Sequence, residues 1–499
     1  MKVYTFIFAA AATFILAFTA ACNPIDPDSG LRKKEIEELI KNDPDYDAKV
    51  FLHKQYMDVY YYWNEEVMDR NAKYQAYTVP DIYDWFDKLL YDKDRWSWME
   101  DKEGYLSSET GEITGTWGVA FAQPAEYYND YRIFIRYILP GSPLEKYGVT
   151  RGAQLISVGG CDIRDGITTT EKLDYVNEHL YDSPNKFTFK LTDGTEASFT
   201  ASLASTLKTN YILKAKVFTA KDFPGLTAPV GYLNFFSFVS GFIPDLAKTL
   251  QDFKAAGVKK MILDLRYNGG GASDVSDTLV SYIAPSNSFG KTYVVRSHNN
   301  ILKKEGFDEI EYVKSNKYNL DLDEIFFIMQ NGSASASEMV YNGLRPLYGS
   351  KIHLVGQQTY GKPNGMYVLM YPGANEDYAR YRKGDYGNLK YVFYPICFYN
   401  KNGDGEEIPS TADYGSGFIP ENVRPDDVYN DFGVNESDVN ACLTYIVKGA
   451  YPPIDQSHVR NMTKADNGFI VEGILPEDET NPNYGKYIVK KAPGCPENF

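Results

Sequence analysis

The chain has 499 residues, with 51 Lys and Arg against 67 Asp and Glu, a net charge of −16, 43% apolar and 24% charged residues. These amounts are ordinary for a globular protein and exclude a disordered, collagen-like or coiled-coil chain, while the length suggests about three domains, each able to bury its own core. The acidic excess and the lack of any Lys/Arg-rich block argue against a nucleic-acid footprint and against adhesion to anionic lipid. No mechanism attaches to the 42 Tyr. The cysteines, Cys22, Cys161, Cys397, Cys442 and Cys495, contain no Cys-x-x-Cys pair. Neither a zinc site nor a dithiol redox motif is written here, and nothing calls for a cofactor.

Residues 3–21 form an unbroken apolar and small-residue run behind Lys2, ending in Thr19-Ala20-Ala21 before Cys22. Such a run is an export signal rather than part of a fold. Small residues at the three positions before a cysteine resemble the lipobox of bacterial lipoproteins, although Thr19 departs from the usual Leu. That resemblance implies a signal peptide at 1–21, acylation of Cys22, and an extracytoplasmic chain held by lipid at a bacterial membrane, in the periplasm or at the cell surface. The polar residues 22–30 are then a tether. An uncleaved signal anchor and plain secretion stay open, because the run of 19 residues can just span a bilayer.

Residues 31–108 carry helical apolar spacing (Ile36, Leu39, Ile40; Val50, Leu52, Tyr56, Val59) and a dense aromatic group, Tyr60, Tyr61, Tyr62, Trp63, Trp85, Trp96 and Trp98. They predict a small helical domain with the aromatics as core, a ligand platform being the alternative. Residues 109–205 change to short β-rich runs at 117–121, 132–139, 154–158 and 186–191, broken by Pro-Gly, Gly-Gly and Asp-Gly turns. Within them, Leu139-Pro140-Gly141-Ser142-Pro143-Leu144-Glu145-Lys146-Tyr147-Gly148-Val149, then Arg151-Gly152-Ala153-Gln154-Leu155-Ile156, resembles the strand, short helix and glycine turn of a PDZ domain. The resemblance implies a groove where a peptide adds as an extra strand, its carboxylate held by loop amides near Trp117, Gly118, Val119 and Ala120. A purely structural or regulatory module is the other reading.

Across 206–430 strands and helices alternate: strand 230–236, helix 242–256, strand 260–265, helix 271–283, strand 325–329 and helix 336–348. This order predicts an α/β layered core. One strand runs into Asp264-Leu265-Arg266-Tyr267-Asn268-Gly269-Gly270-Gly271. Its glycines leave amides free for a phosphate or an oxyanion. The phosphate version is weak, since Asp274 takes the third glycine position of G-x-G-x-x-G and no P-loop motif exists; a plain tight turn stays open. A second strand runs into Asn331-Gly332-Ser333-Ala334-Ser335-Ala336-Ser337-Glu338. A serine on a strand-to-helix turn projects its hydroxyl beside helix amides, which suits a nucleophile, and Ser335 with Glu338 equally fits a capping box. Downstream lies Thr359-Tyr360-Gly361-Lys362.

Taken in order behind the PDZ-like stretch, DLR-x-N-GGG, SASASE and TYGK resemble the tail-specific or C-terminal-processing peptidases, serine enzymes with a Ser-Lys dyad, over residues 31–430. Gly417-Phe418-Ile419-Pro420 and Pro425-Asp426-Asp427 are similar to that family's stretch near the end of its core. The resemblance implies a multi-domain α+β fold: an N-terminal helical domain, a PDZ-like β-rich domain and an α/β layered, crotonase/ClpP-like peptidase core. It implies Ser335 as nucleophile, Lys362 as base, and the amides of Ala336 and Gly270 as oxyanion hole. The expected activity is endoproteolysis of peptides or unfolded proteins near their C-termini. Lys362 follows Ser335 by 27 residues, slightly more than the family's usual interval, which Ser337 would satisfy. Where the family often places a supporting Gln, four residues after the lysine, this chain has Met366.

The five histidines, His53, His179, His298, His353 and His458, show no triad spacing, and His353 sits in an apparent strand as a structural residue. Metalloprotease chemistry lacks its His-Glu-x-x-His. The stretch from Asn400 to Gly405 opens like a calcium loop, but Thr411 stands where the loop needs Glu, so a hairpin turn is favoured. Residues 431–499 predict a helix at 437–448 and a small β appendage. Two other functions stay open: a catalytically silent PDZ-type peptide-binding scaffold of the envelope, and, more distantly, an acyl-CoA-handling enzyme that would need neither Ser335 nor Lys362.

Overall fold

A computed structural model describes residues 31, 33–124, 130–208, 210–410, 417–454 and 487–489. The leader, Cys22, the tether and most of the expected β appendage lie outside the described residues. Among those described, no helix is long and apolar enough to cross a membrane.

The central sheet runs Ile212–Phe218, Val230–Phe235, Lys260–Asp264, Glu324–Met329, Ile352–Gly356, Asn422–Val423. Its first pair is antiparallel and the others are parallel. Parallel strands covered on both faces read as continuous apolar runs, and their two-residue period then divides them. Met261, Leu263, Ile325, Phe327 and Met329 join one cluster with the helices Ile243–Ala255, Ser273–Ile283 and Ala336–Tyr348. Ile262, Phe326 and Ile328 join another with Val439, Cys442 and Leu443 of the helix Ser437–Lys448. The helix expected from 271 starts at Ser273, because Gly271 has φ 134, outside the helical range, and Ala272 N–H donates to Phe238 O at 2.7 Å. Residues 271–272 form a short strand instead.

The helices of residues 33–89 pack onto this body without a core of their own. Leu52, Tyr56, Trp85, Phe86 and Leu89 share one cluster with Leu369, Phe393 and the central sheet. Tyr61 and Trp85 are fully buried, and Trp98 stacks on Tyr394 at 3.8 Å. The aromatic group is therefore packing material.

A second unit has its own cluster. Its strands lie in the order Val119–Ala122, Ile133–Ile138, Gln154–Val158, Asn185–Lys190, Glu196–Ala201, with the helix Thr170–His179 capped by Thr169. Val119–Ala122 is one edge strand and Glu196–Ala201 the other. The stretch from Asn400 makes a hairpin turn: Lys401 bridges Glu407, and Asn402 Oδ1 accepts the N–H of Asp404 and of Glu406.

Candidate active site

Asp264, Met329 and Gly356 end three adjacent parallel strands, and each opens a turn at the same edge of the sheet. Open α/β sheets bind ligands at that edge. The middle turn delivers Ser335 to the start of the helix Ala336–Tyr348 with φ 58 and ψ −113. Such a backbone is strained by about 1–3 kcal/mol for a residue with a side chain.

Three serines share this turn. Ser333 Oγ donates to Leu265 O at 2.8 Å, and Ser337 Oγ donates to Asn268 O at 2.8 Å. Ser335 Oγ is buried and has no hydrogen-bond partner among the described residues. The capping box forms in one direction only: Ser335 N–H donates to Glu338 Oε2 at 3.0 Å, while the serine hydroxyl returns nothing. Ala336 N–H sits in the first helical turn, where donors have no intrahelical acceptor.

Glu338 holds the site together. Its Oε1 accepts Thr359 Oγ1 at 2.5 Å and Gly361 N–H at 2.7 Å; its Oε2 accepts Ser335 N–H and, at 2.9 Å, Lys362 N–H. One carboxyl group thus fixes the main chain of both Ser335 and Lys362. Burial pushes its pKa above the ordinary range, against the pull of Thr359, Lys362, Gly361 and Ser335. Thr359 is clamped further, its hydroxyl accepting Phe418 N–H at 2.8 Å. Lys362 is 1% exposed, and its Nζ lies 3.7 Å from Met366 Sδ. A thioether therefore stands at the position expected for a carboxamide.

The glycine turn differs from expectation at one atom. Gly270 N–H donates to Asn268 Oδ1 at 2.9 Å, so its proton is engaged and not directed at an oxyanion. Asn268 is the organiser: its Nδ2 donates to Phe235 O at 2.8 Å, and its carbonyl accepts Ser337 Oγ and Ala334 N–H. The preceding residue, Tyr267, has φ 65. Its hydroxyl donates to Asp426 and accepts from Arg151 Nη1 at 2.7 Å. Arg151 belongs to the second unit, so that unit is bonded to the turn. Burial alone would raise the Asp426 pKa, but Arg151, Arg136 and Arg266 hold it far below the usual range.

Arg266, fully buried, shares its guanidinium with Asp264 at 2.7 Å, Glu436 at 2.5 Å and Asp438 at 3.3 Å. The four residues expected to hold a peptide carboxylate lie elsewhere, and all are buried: Trp117, Gly118, Val119 and Ala120. Trp117 Nε1 donates to Leu180 O at 3.1 Å, and Gly118 N–H donates to Thr116 Oγ1 at 2.9 Å. His353 sits in the central sheet between Glu324 and Glu421.

Residues 229–386, which contain all three turns, match the model of Peptidase family S41. The chain carries a peptidase family S41 domain. Around this S41 domain, a "Probable CtpA-like serine protease" of Staphylococcus aureus (strain MRSA252) is 25% identical over 419 residues, 80% of this chain and 75% of that protein. The protein of the same name from strain N315 is 25% identical over 274 residues, 54% of this chain, and the match spans about half of that relative, 49%. A crystal structure of an S41 protease described from Bacteroides fragilis NCTC 9343 superimposes with TM-score 0.59 at 21% identity, over 79% of this chain and 96% of that one. The mixed α/β multi-domain fold is thus similar to that of S41 proteases.

Four residues around the S41 turns, quoted in motifs but given no role in the site from the sequence, help to build it: Glu338, Asn268, Arg151 and Asp426. Glu338 carried a signal, its three-residue spacing from Ser335, but that spacing reads as helix capping. Arg151 and Asp426 are joined only by tertiary structure.

Proposed function

We propose that the chain is a serine endopeptidase that cuts extracytoplasmic proteins or peptides, near their C-termini, through a Ser335–Lys362 dyad. The observation that carries this is the division of labour in one turn: Ser333 and Ser337 spend their hydroxyls on backbone carbonyls, while Ser335 keeps a buried, unbonded hydroxyl on a strained backbone. Lys362 hangs from the same carboxyl group. A lysine removes the serine proton only when neutral, a form favoured in a site closed to water. Ser335 Oγ attacks the scissile carbonyl, the proton passes to Nζ and then to the leaving amine, and water releases the acyl group with Lys362 again as base. Ala336 N–H holds the oxyanion. Gly270 becomes the second donor when the Asn268 carboxamide turns away from it, and each donor contributes a factor of about 100 to 1000 in rate.

In this reading residues 109–205 act as the PDZ-like peptide holder and residues 206–430 as the catalytic core. Trp117 and Val119 are buried in that unit's own cluster, while Ala120 packs with the core. Acylated Cys22 places the enzyme outside the cytoplasm. The deciding experiment incubates residues 23–499 with an unfolded protein and maps the products by mass spectrometry. Cleavage lost in Ser335→Ala and Lys362→Ala but kept in Ser337→Ala supports the dyad; equal cleavage in all variants rejects it.

A further inference from the structure

The second large sheet contains a strand from the far end of the chain. Its order is Gly271–Ala272, Tyr487–Val489, Asn364–Tyr367, Ile396–Lys401, Thr292–His298, Glu309–Tyr312. The main chain of Tyr487–Val489 runs parallel to both neighbours. Gly271 pairs with Tyr487 and Ala272 with Ile488 on one side; Met366 pairs with Ile488 and Tyr367 with Val489 on the other. Ile488 is opposite Ala272 and Met366 at once.

Both walls of this seat belong to the candidate site. Gly271 directly follows Gly270, in the turn whose Asn268 carbonyl holds Ala334 and Ser337. Met366 contacts Lys362 Nζ. Paired strands lie about 4.8 Å apart, so the walls flank a gap about one strand wide. Its backbone donors and acceptors suit any extended chain, whatever its side chains. A substrate reaching Ser335 between the glycine turn and the lysine strand needs these same groups.

We propose that the Tyr487–Val489 strand is a built-in competitor, filling the main-chain slot between residues 271–272 and 366–367 that an extended substrate must enter. The proposal rests on the peptidase reading above. An occupant seated nine times in ten weakens apparent substrate affinity about ten-fold.

The test uses the full chain and an Ile488→Pro variant, in which proline removes a ladder donor from the strand. Three quantities are read: kcat/KM on an unfolded protein, fluorophosphonate labelling of Ser335, and amide exchange at 271–272 and 366–367. The expected result is faster exchange at both walls with a rise in kcat/KM approaching ten-fold, mainly through KM. A synthetic peptide of residues 483–493, added to the unsubstituted chain, is expected to raise KM without changing kcat, which keeps the test decisive if the proline variant does not fold. Faster exchange with unchanged kcat/KM and normal labelling overturns the competitor and leaves the peptidase reading intact. Lower kcat/KM with lowered thermal stability makes the strand a structural member and also overturns it. Neither labelling nor cleavage in any sample removes both readings together.

Discussion

Arg151 Nη2 lies 2.8 Å from Asp426 Oδ1, joining the second β unit to the segment that follows the central sheet. Arg151 also donates to the Tyr267 hydroxyl and to the Asp427 and Asn430 carbonyls. Only a planar, multi-donor head serves all four. Arg151→Lys is expected to lower the rate of Ser335 labelling and to destabilise the protein by about 3 kcal/mol, since the buried Asp426 loses a matched partner. Denaturant unfolding and labelling kinetics measure the two effects; no change in either would show that the contact does not reach the turn.

Ser337→Ala removes the hydroxyl that donates to Asn268 O, yet Ala334 N–H still bonds that carbonyl. The expected loss of stability is about 1 kcal/mol, with Ser335 labelling retained. Ser335→Ala should behave oppositely, with stability unchanged or improved because a buried, unbonded hydroxyl is removed while the backbone strain stays, and turnover down by about 10⁴ or more.

Glu338→Gln keeps the shape but replaces one accepting oxygen with an amino group. Four donors face this side chain, so at least one then meets another donor. Misplacement of the two turns by about 1 Å costs about 100-fold in rate. The expectation is a fall of that size in kcat with little change in KM, read from steady-state kinetics; a KM effect alone would contradict it.

His353 gives a pH signature away from the site. Burial would lower its pKa, but hydrogen bonds with Glu324 and Glu421 outweigh this and raise it above 6.5. Glu324 is held down at about 2, first by His353 and then by Lys260. The histidine's contribution is complete below pH 6.5 and is lost as pH rises through its raised value. The glutamate's is present above pH 4.5 and lost as pH falls toward about 2. His353→Gln should therefore lower Tm most between pH 4.5 and 6.5, and less once pH has risen through the histidine's raised value. The difference is expected to be about 2–4 °C for each kcal/mol lost.

The legible parts of the fold were those set by local pattern. The strand at Lys260–Asp264 and the helix at Ala336–Tyr348 carry their apolar period on the surface of the text, and both formed within a residue of expectation. Residues 271–272 were misread as helix because strand pairing by Phe238 lies 33 residues away and leaves no local mark. The turn serines were visible as a group, but which hydroxyl stays unbonded depends on carbonyls from Leu265 and Asn268, supplied by a different turn. Gly270 was expected to offer its N–H, and the Asn268 side chain two residues earlier takes it. The docking of residues 33–89 was hidden for the same reason: its aromatics announce a core without saying whose core it is.

Arg266 has a consequence for when its charge is fully matched. Asp264 is at hand as soon as the strand forms, but Glu436 and Asp438 stand 170 and 172 residues further along. A guanidinium cannot be closed off from water without its counter-charges, at a penalty of several kcal/mol. The residue that opens the glycine turn therefore gains its full set of ion pairs only once residues 436–438 are in place. A chain that stops short of Glu436 leaves Arg266 with Asp264 and Asp426 alone.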